Sequence, residues 1–266
     1  LRNIIRRLLA EKRYHIDNVL YLNFEDYELR YVDNPEELNE IYQVFVEQIA
    51  DTKQPKLIVF DEIQNVNLWD KFIRTIYERE NNIEIALTGS NSELLSSELG
   101  SNLAGRFIEF KLYPFSFRES LKYCGYEIES LRDFEKNKSE IRKSFYDYMD
   151  FGGLPEIFQI QGEDAKRSYL EGVISKVILD DVISRFNVRN SSAIEMIIQY
   201  IFSNVANIIS FSSIERYLQE LGIDLTQETI IDYVGYFIKA FAIYDLLKFD
   251  WKTNKVFSSS KKYMAI

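Results

Sequence analysis

Two adjacent carboxylates, Asp61 and Glu62, follow directly on the apolar run Leu57-Ile58-Val59-Phe60. A strand that ends on two acids can divide labour between them. Side chains alternate along an extended chain, so the first acid can hold a Mg²⁺ ion, directly or through water, while the second, facing the other way, polarises an attacking water. The plainer alternative is that the acids cap the next helix. Further on, Thr88-Gly89-Ser90-Asn91 closes a second apolar run over residues 83–87. Thr88, Ser90 or Asn91 at such a tip can hydrogen-bond a terminal phosphate or the water that attacks it. Alternatively, Ser90 or Asn91 N-caps a helix over residues 92–99. Arg106, after Gly105 and just ahead of a stretch over 107–112 that reads as a strand, can offset charge that develops on a phosphate held by a neighbouring subunit, or form a surface ion pair.

These residues need a sheet whose strands end at one rim. The run that closes on Asp61 is apolar without interruption, as in a strand buried on both faces of a parallel sheet. Ligands of open α/β sheets gather at the carboxyl ends of the strands, where Asp61 and Glu62 lie. Before it, apolar residues at 1, 4, 5, 8 and 9 mark a helix, with Arg2, Arg6 and Arg7 on its solvated side; a strand follows over 18–24 and a helix over 35–50. After it come a helix over 68–77, a strand over 83–87 and a fourth strand over 107–112. Alternation of strand and helix with short connections predicts a parallel sheet covered by helices on both faces.

Composition sets the outer limits. A chain of 266 residues with 46% hydrophobic and 15% aromatic residues can bury two cores or more. A net charge of −10 argues against broad non-specific binding to nucleic acid. The single cysteine, Cys124, excludes an internal disulfide framework and fits a reducing cytoplasm. His15, the only histidine, sits in a polar turn without a metal or nucleophilic partner and is assigned to the surface. No uncharged apolar run reaches membrane-spanning length.

The acidic pair after its apolar strand is the Walker B pattern. Taken with Leu87-Thr88-Gly89-Ser90-Asn91-Ser92, Gly105-Arg106 and Tyr113-Pro114-Phe115-Ser116-Phe117-Arg118-Glu119, it resembles the prokaryotic AAA+ ATPases that carry a C-terminal domain of unknown function. Phe151-Gly152-Gly153-Leu154-Pro155-Glu156 and the stretch from Tyr169 to Val182 are similar to the start of that second domain. The resemblance implies ATP binding and hydrolysis, with Asp61 for Mg²⁺, Glu62 as catalytic base, Ser90 or a neighbour (Thr88, Asn91) as sensor, and Arg106 as an arginine finger in a homo-oligomer. The family's phosphate-binding loop, Gly-x-x-x-x-Gly-Lys-Ser/Thr, does not occur in this sequence. The expectation is therefore a chain truncated just after that loop, active as an ATPase at full length and a poor ATP binder as it stands.

In the second half, helices are expected over 116–124, 141–151 and 166–183, with a polar linker over 127–139 and a turn at Gly152-Gly153. A helical lid of this kind can supply an arginine to phosphate, with Arg167, Arg185 and Arg189 as candidates. Helices over 190–209, 212–221 and 227–244, then a hairpin over 246–257 turning at 252–254, follow the order of a winged helix. Glu228, Asp232 and Asp245 against a lone Lys239 make its third helix a poor face for phosphates, whereas Lys248, Lys252, Lys255, Lys261 and Lys262 make the wing basic. The expected organisation is an ATPase core over 1–120, a helical lid over 121–188 and a winged helix over 189–266. The expected function is an ATP-driven switch acting on an unknown protein client, or on DNA through the winged helix; the alternative is a non-catalytic adaptor whose winged helix binds DNA or protein.

Overall fold

The computed structural model describes residues 1–90, 105–250 and 255–265. The chain divides into two compact units, Leu1–Glu109 and Phe110–Ile266.

The first unit is built on a three-stranded parallel sheet. Helix α1 (Arg2–Ala10) precedes strand β1 (Val19–Asn23), helix α2 (Pro35–Val44) leads to strand β2 (Lys56–Asp61), and helix α3 (Trp69–Arg79) leads to strand β3 (Ile83–Leu87). The order is β1-β2-β3, with β2 central and buried over all but its last residue. Strand parity sorts its side chains. Ile58 and Phe60 face a core closed by Leu38 and Tyr42 of α2, by Phe45 just past it, and by Phe72, Ile73 and Ile76 of α3, while Leu57 and Val59 face Tyr14, Leu1 and the α1 stripe Ile5, Leu8 and Leu9. A local signal sets the start of α2: Asn34 caps it by accepting from the Glu37 N–H at 3.0 Å, with Pro35 at the first helical position. Lys56, buried at the start of β2, is neutralised by Glu80 at 3.2 Å.

The expected fourth strand over 107–112 does not form; the segment runs without regular structure, and Ile108, Phe110 and Leu112 are exposed. A strand needs a neighbour to pair with, and among the described residues β3 pairs only with β2. The expected helix over 92–99 lies outside the described residues.

The second unit opens with helices α4 (Phe117–Tyr123), α5 (Leu131–Lys136), α6 (Lys138–Phe151) and α7 (Glu163–Lys176), the last continuing as a π-helical stretch, Val177–Ser184. The stretch expected as a linker thus contains α5 and the start of α6. Ser130 and Asp133 form a reciprocal capping box that starts α5. Gly153 is required by packing: a Cβ there would lie 2.1 Å from the Phe115 carbonyl oxygen, and the Phe115 N–H donates to Gly153 O at 2.7 Å. Then come α8 (Ser191–Ser203), β4 (Ile208–Ile209), α9 (Phe211–Glu220), α10 (Gln227–Lys239), β5 (Ile243–Asp250) and β6 (Lys255–Ala265), with an antiparallel sheet ordered β4-β6-β5. Two helices are shorter than expected. The first gives way to β4 past Ala206, at φ 64°, and the other to β5 past Phe241, at φ 54°; positive φ cannot continue a right-handed helix. The core of this part joins Ile194, Ile197, Ile201, Leu218, Phe237 and Tyr263. The expected turn at 252–254 lies outside the described residues. Among the described residues no helix is long and apolar enough to cross a membrane.

Candidate active site at the rim of the parallel sheet

The carboxyl ends of β1, β2 and β3 meet in register, Asn23 opposite Asp61 and Phe60 opposite Leu87, so the residue after each strand arrives at one rim. Period-two alternation then places Tyr21 of β1, Asp61 of β2 and Thr88 just past β3 on the face that carries α1. Asp61 accepts two hydroxyl hydrogen bonds: Tyr21 OH donates to Oδ2 at 2.8 Å, and Thr88 Oγ1 donates to Oδ1. The carboxylate is fixed between two strands.

Glu62 breaks the alternation. Its backbone lies in the left-handed region, φ 57° and ψ 43°, at a cost of order 1 kcal/mol for a residue with a Cβ. The conformation is held at several points. The Glu62 N–H donates to Thr88 Oγ1 at 3.3 Å, and the Ile63 N–H donates to the Thr88 carbonyl at 3.2 Å. The side chain turns to the β3 tip, where Oε2 accepts from the Ser90 N–H at 3.2 Å and from Gln64 Nε2 at 2.6 Å. Gln64 Nε2 also donates to Ser90 Oγ at 3.3 Å.

Beside Asp61 opens a shallow cleft of about 500 Å³, bordered by Arg2, Asn3, Arg6, Tyr21 and Asn23. The Arg2 guanidinium lies 5.7 Å from the centre of the Tyr21 ring, and its pKa is raised first by the Tyr21 hydroxyl and then by the charges of Asp61 and Asp26. A carboxylate, amides and hydroxyls on one wall and guanidinium groups on the other suit a hard cation and the phosphates that accompany it. Among the described residues no cluster of three or more His, Cys, Asp or Glu could form an all-protein metal cage. One carboxylate is the donor set expected of Mg²⁺ held mainly by water and phosphate oxygens, so the residues present fit that ion.

The rim therefore brings together Asp61, Glu62, Thr88 and Ser90. Asn91 lies outside the described residues. Arg106 is not joined to this cluster: it pairs with Glu78 of α3 at 2.8 Å on the exposed surface, and together with Arg74 it lowers the Glu78 pKa. His15 is exposed and, among the described residues, bonded locally to Asp17. Sequence reasoning missed Tyr21, Gln64 and Arg2. Tyr21 follows from strand parity, two residues before the end of β1; Arg2 falls on the solvated side of the α1 pattern; Gln64 depends on the fold of the loop after β2.

Residues 2–121 match the family described as AAA domain, and residues 142–265 match the Domain of unknown function (DUF8612). An uncharacterized protein of Methanocaldococcus jannaschii is 34% identical over 248 residues, which is 93% of this chain and 54% of that protein. An uncharacterized protein of Haemophilus influenzae is 27% identical over 261 residues, 98% of this chain and 62% of that protein. The chain thus spans about half to three-fifths of the length of these curated relatives. Among solved structures, a Walker-type ATPase of Pyrococcus abyssi shares the fold, with a TM-score of 0.59 over 98% of this chain and 84% of that one at 14% identity.

Proposed function

We propose, for a chain that belongs to the prokaryotic AAA-type ATPase-like proteins with a second domain of unknown function, that it binds ATP with Mg²⁺ and acts as a nucleotide-driven switch on a client. The observation that supports this best is Glu62: a left-handed backbone, strained for any residue but glycine, aims its carboxylate at the tip of β3 rather than into solvent. Strain of this kind persists only where the surroundings over-determine it, and here Thr88, Gln64 and Ser90 do so.

In this reading Asp61, fixed by Tyr21 and Thr88, would hold the Mg²⁺, which when bound neutralises phosphate charge. Glu62 takes the proton of the attacking water. Ser90 and Thr88 sense the terminal phosphate, with Asn91 in the same role. Arg2 and Arg6 give the cleft a positive wall for phosphate oxygens. Arg106 acts on the nucleotide of a neighbouring subunit; its exposed pair with Glu78 is weak enough to give up.

The organisation we propose is a core over 1–120, a lid over 121–188 and a winged helix over 189–266. The order helix, strand, helix, helix, strand, strand with a β4-β6-β5 sheet supports the last. The client then docks on this second half, as protein or as DNA met by the basic wing.

The test is Mg²⁺-dependent ATP hydrolysis by the full-length native protein and its Glu62→Gln variant. Expected are retained nucleotide binding and turnover lower by about 10²-fold or more. Unchanged turnover in the variant refutes Glu62 as the base. A wild-type protein that binds DNA or protein without hydrolysing ATP supports the adaptor reading instead.

A further inference from the structure

We infer that Gln64 is a positioning residue that fixes the carboxylate of Glu62 against the tip of β3. The inference rests on the reading of Glu62 as base and adds to it the side chain that orients it.

Three observations carry it. Gln64 Nε2 lies 2.6 Å from Glu62 Oε2 and 3.3 Å from Ser90 Oγ, so one amide nitrogen joins the base to the strand tip proposed to sense phosphate. Its two hydrogens suffice for these two acceptors and no more. Next, the orientation of the amide is dictated by charge. With the group rotated by half a turn, the carbonyl oxygen would face an ionised carboxylate at 2.6 Å, acceptor against acceptor, so the NH₂ must point at Glu62. That choice leaves Oε1 buried and without a hydrogen-bond partner among the described residues, an arrangement that favours Glu62 at the expense of Gln64 itself. Finally, Gln64 sits in the short 3₁₀ turn Ile63–Asn65, whose Ile63 side chain is fully buried, so the amide is presented by a rigid loop.

Glu62 cannot be aimed by its own strand, because its backbone has already left the β conformation. Its side chain retains rotatable bonds, and a general base gains rate only when held within reach of the proton it takes. The Ser90 N–H alone is a 3.2 Å contact to one oxygen. Gln64 adds the shorter bond to the same oxygen, so that among the described residues both bonds fall on Oε2 and neither on Oε1.

The experiment compares wild type, Gln64→Leu, Glu62→Gln and the double variant in the full-length native protein. It measures kcat and KM for Mg²⁺-ATP, and the Kd of a fluorescent ATP analogue to certify folding. The expected result for Gln64→Leu is a kcat lower by about 10- to 100-fold with KM and analogue affinity within about threefold of wild type. In the Glu62→Gln background the same substitution changes kcat by less than about twofold, since there is no carboxylate left to aim. A structural role for Gln64 would instead lower turnover by the same factor in both backgrounds. Unchanged or increased kcat in Gln64→Leu, or a full effect in the Glu62→Gln background, overturns the assignment. If Glu62→Gln alone retains full turnover, the base is misassigned and the fault lies with the proposed function. Loss of analogue binding in Gln64→Leu is resolved with Gln64→Met, which fills the same volume; the assignment falls if this variant turns over like wild type.

Discussion

Replacing Thr88 by Val keeps the shape of the side chain and removes one oxygen. That oxygen donates to Asp61 Oδ1 and accepts from the Glu62 N–H, so its loss strips one of two hydroxyl donors from the carboxylate and orphans an amide in a left-handed turn. A hydrogen bond to a charged group contributes about 1.5–3 kcal/mol and a neutral one about 1 kcal/mol. All three residues are half-buried, so water recovers part of this, and the net loss should be about 2 kcal/mol. Urea unfolding followed by circular dichroism reads this directly, with Thr88→Ser as the control that keeps the hydroxyl and gives up one methyl, about 0.8 kcal/mol. Turnover should fall with stability in Thr88→Val and hold in Thr88→Ser, because Asp61 and Glu62 both depend on this oxygen. Thr88→Val within about 0.5 kcal/mol of wild type, or Thr88→Ser as damaged as Thr88→Val, would show that the bridge is incidental.

Gly153→Ala should destabilise the second unit by at least about 2 kcal/mol, since its Cβ would meet the Phe115 carbonyl at 2.1 Å, where only backbone movement relieves the clash; an unfolding midpoint equal to wild type would contradict the packing described. Glu80→Gln leaves the Lys56 ammonium buried without its counter-charge and should cost about 3 kcal/mol, whereas Lys56→Met should cost less, because Glu80 is less buried and keeps Arg79 at 3.7 Å; the reverse order in denaturation would refute the pairing. Burial raises the pKa of Tyr14, Tyr42 and Tyr263 from 10.0 to about 12, with Glu84, Glu80 and Asp245 respectively adding to it. Because these folded-state values lie above the unfolded one, their stabilisation is complete below pH 10 and is lost as pH rises from 10 to about 12, which a thermal-melting series across that range should show. Arg106→Ala should leave stability within about 0.5 kcal/mol, its partner Glu78 being half-exposed, so any loss of turnover in that variant reports on catalysis between subunits rather than on folding.

The acidic pair and the polar tip after β3 were legible because a parallel strand buried on both faces leaves a long apolar signature, and chemistry gathers where that signature stops. The link from Tyr21 to Asp61 follows from parity once register is known, but register depends on pairings no single segment contains. Gln64 was invisible for a different reason: its contact with Glu62 exists only because Glu62 adopts φ 57°, a conformation that residue type disfavours. Residues 107–112 alternate like a strand, yet pattern supplies only the capacity to pair. The capping box of Ser130 and Asp133 was written in the sequence and lost among polar neighbours, while the helices ending before Ala206 and Phe241 carry no glycine or proline there to announce the stop.

The left-handed turn at residue 62 sets a trap for anyone improving this protein by selecting on heat resistance alone. Glycine at that position would relax the backbone while deleting the carboxylate, so a library screened only for survival should enrich for hardier but chemically silent molecules. If Glu62 is the base proposed above, an evolutionary lineage free of demand for turnover would drift the same way, and a glycine at this position in a relative would go with lost hydrolysis.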